Sequence, residues 1–150
     1  MDWWQLRCHI IGNARSLAWA LGSDDPPRII MTAAEISALV ERELATFHYE
    51  PPSSDSGLLG KPRSVERVMT GVHALRAALV PPRLVVLRRN KFGVNGVEKH
   101  EAWLVATAAH GLSVAFDPVA REFTLVEPAG NEEVNDINVR GDLVGTFLAA

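Results

Sequence analysis

The stretch that decides the fold runs from Lys99 to Pro118, KHEAWLVATAAHGLSVAFDP. Within it His100, Ala102, Leu104 and Ala106 alternate with Glu101, Trp103 and Val105, and after Gly111 the residues Leu112, Val114 and Phe116 alternate again. A two-residue repeat puts successive side chains on opposite faces, so the stretch reads as two strands joined at Ala108–Gly111. Asp117-Pro118 ends the second strand, since proline has no amide hydrogen to give a neighbouring strand.

Working outward, Glu122 to Glu127 predicts a further strand, and Asp142 before Leu143, Val144, Phe147 and Leu148 predicts a short terminal helix. Upstream, Asn95-Gly96 is a turn dipeptide and Leu84 to Leu87 a short apolar strand. Before Pro81-Pro82 the period lengthens to about 3.6. Ser64 as N-cap, followed by Val65, Val68, Met69, Val72, Leu75 and Leu79, predicts a helix that the two prolines stop. Tyr49 to Arg63 is rich in Pro, Ser and Gly and reads as a long loop. Thr32 with Glu35 forms a capping box ahead of Ile36, Leu39, Val40, Leu44 and Phe47, a second helix. Asp24-Asp25-Pro26-Pro27 is a turn, preceded by a first helix with Ile10, Ile11, Ala14, Leu17, Ala18 and Leu21 on one face and Gly22 at its end. Helices followed by antiparallel strands give an α+β class, with N-terminal helices packed on a C-terminal sheet in a single domain over residues 1–150.

Composition narrows the function. With 150 residues and 47% hydrophobic content the chain can bury a real core. Its 15 Lys+Arg against 18 Asp+Glu leave a formal charge of −3, and no basic cluster exceeds a dipeptide such as Arg88-Arg89, which argues against nucleic acid as a partner. No apolar run approaches the roughly 20 residues of a membrane span, and the N-terminus lacks the marks of a classical signal peptide. The single cysteine, Cys8, excludes an internal disulfide and a Cys-rich metal site. No two histidines have the i, i+4 spacing of a zinc site, so neither metal nor cofactor is implied. Trp3-Trp4 is an aromatic pair suited to covering a cleft or docking on a preceding segment.

Three residues point to one site. Cys8 stands at the start of the first helix, where free N–H groups and the positive dipole end favour a thiolate. The midpoint of positions 100 and 117 is 108.5, at the start of the turn. With that loop centred one residue later, Asp117 becomes the diagonal cross-strand neighbour of His100 on the same face. A carboxylate there holds the imidazole in one tautomer and leaves its other nitrogen to take a thiol proton.

These residues resemble the papain-like cysteine peptidases. The likeness lies in Arg7-Cys8 opening a helix, Lys99-His100 before the hydrophobic strand Ala102 to Val105, and Phe116-Asp117-Pro118 before the strand containing Phe123 to Leu125. It is nearest to the compact bacterial effector and toxin branch that includes the YopT-type proteases; protein-glutaminase and transglutaminase-like domains share the same order. The resemblance implies a papain-like fold and a Cys8-His100-Asp117 triad with Gln5, three residues before Cys8, as the oxyanion donor. It further implies a protein or peptide substrate, cleaved, deamidated at glutamine or passed to an amine. It also implies an effector or toxin that is cytoplasmic or delivered without a classical signal peptide, with a preceding domain or a cognate inhibitor protein as possible partners. A different reading stands beside it: a non-enzymatic α+β binding module, an immunity or adaptor protein, with a structural Cys8.

Overall fold

The computed structural model describes residues 30–52, 62–90, 93 and 95–150. Cys8, Gln5, Trp3, Trp4, the expected helix from Ile10 to Leu21 and the turn at Asp24 to Pro27 lie outside the described residues.

Two helices precede the strands. Helix α1, Ala33–Thr46, starts where expected, because Thr32 accepts from the Glu35 amide while the Glu35 carboxylate accepts from the Thr32 amide at 2.7 Å. That reciprocal pair satisfies two donors that the first helical turn leaves open. Thr32→Ala is expected to lower stability by about 1 kcal/mol in urea unfolding. Tyr49 Oη donates to the Arg63 carbonyl at 2.8 Å, tying together the two ends of the loop read from the sequence. Helix α2, Val65–Ala78, follows its Ser64 cap.

Strand β1, Leu79–Asn90, begins directly at the end of α2. Here the structure corrects the sequence reading: Leu79 is extended, and Pro81-Pro82 stand inside the strand. The prolines are tolerated because they fall where the pairing with β2, Val97–Thr107, slips between Leu79 and Arg83, so no ladder donor is missed there. Strands β3, Ser113–Asp117, and β4, Glu122–Gly130, follow the expected alternation. His110 and Gly111 turn the chain with positive φ between β2 and β3. Strand β5, Glu133–Gly141, was not expected from the sequence. The terminal helix α3, Leu143–Leu148, is capped by Asp142 through the Gly145 amide at 2.8 Å.

The strands pair antiparallel in chain order, and a short parallel pairing of β1 with β5 at Val86–Arg88 closes them into a barrel. The class is α+β, with the sheet closed rather than open. Val85, Leu87, Ala102, Leu104, Ala115, Val126 and Val134 fill one face of the strands. The small Ala102 and Ala115 leave room for the larger side chains within a five-stranded barrel. The opposite face, with Val105, Val114, Phe116, Phe123 and Leu125, packs against Ile36, Val40 and Leu44 of α1, Val72 and Leu75 of α2 and Leu143 of α3. Gly71 of α2 lies so close to Leu148 that any Cβ there would meet its side chain. Among the described residues no helix is long and apolar enough to cross a membrane.

Candidate functional site

The inward-facing pattern that is apolar along most of the strands turns polar at one end. On β1, Val85 and Leu87 are followed at the same two-residue interval by Arg89; on β2, Leu104 and Ala102 lead to His100; on β3, Ala115 leads to Asp117. Leu87 pairs with His100, so the ring sits at the last apolar level.

The β2–β3 register explains how His100 and Asp117 meet. Ala106 pairs with Val114 but Leu104 pairs with Ala115, so Val105 is an extra residue on β2. That bulge shifts the hairpin by one position, after which Trp103 faces Phe116 and Asp117 falls diagonally across from His100. His100 Nε2 lies 2.9 Å from Asp117 Oδ1. The His100 side chain is 15% exposed and Asp117 is fully buried. His100 Nδ1 is buried and has no hydrogen-bond partner among the described residues.

Asp117 is held from four directions. Its Oδ1 also accepts from the amides of Val119 and Ala120, at 2.9 and 3.2 Å, in the turn that follows Pro118, and its Oδ2 accepts from Arg89 Nη2 at 2.7 Å. Asp117 is thus both the turn former and the partner of His100. Burial alone would push its carboxyl up, but the Ala120 amide, the charge of His100, the Val119 amide and Arg89 outweigh it and hold the group below the usual carboxylate range.

Arg89 reaches a second buried carboxylate. Its Nε donates to Asp136 Oδ2 at 2.8 Å, and Arg140 Nη2 donates to the same oxygen at 2.8 Å. Asp136 Oδ1 accepts from Thr124 Oγ1 at 2.8 Å and from the Asn138 amide at 2.8 Å. Burial raises the Asp136 carboxyl, yet Arg89, the Asn138 amide, Thr124 and Arg140 together hold it below its ordinary value. Arg89 is disfavoured as a cation by burial, but Asp136 and Asp117 more than restore its charge. Asp136 is aimed inward by a second irregularity: Val126 pairs with Asp136 and Thr124 with Arg140, so β5 carries extra residues, with Asn138 at φ 64°.

Sequence reading singled out His100 and Asp117, and the structure brings them together; Cys8 and Gln5 lie outside the described residues. It missed Arg89, Asp136, Thr124 and Arg140. The signal for Arg89 was present in Val85-Val86-Leu87-Arg88-Arg89, since the alternation that buries Val85 and Leu87 turns Arg89 to the same side, where a largely covered guanidinium needs an acceptor. Among the described residues no group of three or more His, Asp and Glu side chains is arranged to hold a metal ion. Comparison with known protein families, with curated proteins and with solved structures finds no match to this chain.

Proposed function

We propose that this protein is a papain-like thiol hydrolase acting on a protein or peptide, with Cys8 as nucleophile, His100 as general base and acid, and Asp117 as the carboxylate that orients His100. The observation that carries this reading is the state of the imidazole. Its Nε2 is bound to a buried carboxylate while its Nδ1 is left without a partner among the described residues. A buried ring nitrogen in that condition is suited to receiving a proton.

In this reading His100 Nδ1 takes the Cys8 thiol proton and the thiolate attacks a carbonyl or carboxamide carbon. The oxyanion is met by the Cys8 amide and the Gln5 side chain. The C–N bond then breaks and the imidazolium returns its proton to the departing amine, or to ammonia if a glutamine side chain is attacked. Water, deprotonated by His100, attacks the thioester carbon, releasing the acid and restoring the thiol. An amine in place of water gives acyl transfer. Such chemistry fits the effector and toxin domains that the sequence resembles.

Iodoacetamide labelling of the folded protein provides the test. A thiolate stabilised by the helix start expected from the sequence and by His100 reacts rapidly near pH 6, where a free thiol of pKa about 8.5 is almost wholly protonated. Cys8→Ala removes the labelling. Labelling that requires denaturant overturns the proposal and leaves a binding module with a structural cysteine.

A further inference from the structure

We infer that Arg89 is a positioning residue of this site: clamped by Asp136, its guanidinium fixes the Asp117 carboxylate in the orientation that holds His100. The inference rests on the thiol-hydrolase reading but concerns residues outside the triad.

The geometry has three parts. First, the two oxygens of Asp117 are divided: Oδ1 serves His100 and the turn amides, and Oδ2 serves Arg89 alone among the described residues. Rotation of the carboxylate is therefore opposed at both ends. Second, Arg89 presents Nη2 to Asp117 and Nε to Asp136, so its planar fork spans two carboxylates on different strands. Lysine, a compact ammonium without a planar fork, cannot reproduce that span. Third, Asp136 is anchored by Thr124, Arg140 and the Asn138 amide. The chain of contacts His100, Asp117, Arg89, Asp136 thus crosses β2, β3, β1 and β5, and the barrel's closure itself fixes the tautomer at the reacting ring. Groups that orient a reacting side chain in this way typically change rates by about 10–100-fold when removed.

The test compares wild type with Arg89→Lys and with the double variant Arg89→Met, Asp136→Asn, which removes the guanidinium without stranding the Asp136 charge. Two readouts are taken on protein with a cooperative urea transition. One is the rate of iodoacetamide reaction at Cys8 near pH 6. The other is the pair of ring 15N shifts of His100, measured in a Cys8→Ser background, which report which nitrogen carries the proton. With Arg89 and Asp136 intact, the neutral form of the His100 ring is expected to carry its proton on Nε2, the atom facing Asp117. The double variant is expected to lose that preference and to react roughly 10–100-fold more slowly, with Arg89→Lys between the two. Unchanged ring shifts and unchanged rate in a folded variant overturn the inference. If wild-type Cys8 reacts no faster than a free thiol, the hydrolase reading fails instead, and the ring shifts still decide whether Arg89 sets the His100 tautomer.

Discussion

Asp117→Ala is expected to lose about 3 kcal/mol or more of stability and, on the proposed thiol-hydrolase reading, to slow chemistry at Cys8 by up to about 10⁴-fold. The stability loss follows from what the carboxylate leaves behind. Arg89, with a side chain only 16% exposed, would keep Asp136 but lose its 2.7 Å bond to Asp117, and the Val119 and Ala120 amides would lose their acceptor. Breaking one side of a buried ion pair costs more than the pair is worth relative to an apolar replacement, because a charge stays in low dielectric. The rate loss has a separate origin: without an acceptor at Nε2 the ring no longer favours the tautomer that leaves Nδ1 free. Asp117→Asn separates the two. An amide oxygen in place of Oδ1 still accepts from His100 and the turn amides, while an NH2 group at the Oδ2 position confronts Arg89 with a second donor. Asn is therefore expected to keep most of the reactivity and lose much of the stability. Urea unfolding and labelling rates near pH 6 read the two effects. An Ala variant within about 0.5 kcal/mol of wild type, the scale of a neutral surface change, would show that the cluster contributes nothing to the fold.

How far the sequence foretold this site depends on how local each signal was. Thr32 with Glu35, Ser64 and Asp142 are helix starts written in side chains a few residues from the amides they cap, and each caps as read. The His100 to Asp117 hairpin was legible because alternation and one glycine turn set its register to within a residue, although nothing marked Val105 as the bulge that completes it. Strand β5 was not legible. Asn135, Asp136, Asn138 and Gly141 are poor strand formers, and the strand exists because its Asp136 meets Arg89 and Thr124 from distant segments. The same non-locality hid the continuation of β1 through Pro81-Pro82, where tertiary pairing with β2 overrides the usual meaning of a proline pair. Sequence thus revealed the pair His100 and Asp117 but not the second tier that holds it, because alternation can turn Arg89 inward without marking which distant carboxylates it meets.

Asp136 offers the second large effect, and its pH dependence separates electrostatics from mere packing. Asp136→Ala removes the carboxylate shared by Arg89 and Arg140, so two cations would face each other across the β1–β5 seam, with Asp117 still on Arg89 and Glu122 still near Arg140. About 3–5 kcal/mol of destabilisation near pH 7 is expected. In wild type the folded-state carboxyls of Asp117 and Asp136 are both held below their ordinary values. Stability linked to a depressed carboxyl is fully present above the unfolded value of about 3.9 and is lost as pH falls through the folded value, since the unfolded chain binds the proton first. Wild type must therefore lose the contribution of both groups on acidification, whereas the variant has only that of Asp117 to lose. The difference in unfolding free energy between the two proteins is expected to narrow as pH is lowered from about 7 to about 2. A gap that stays constant over that range would mean that Asp136 acts by filling space and satisfying Thr124, and that its charge is not what secures Arg89.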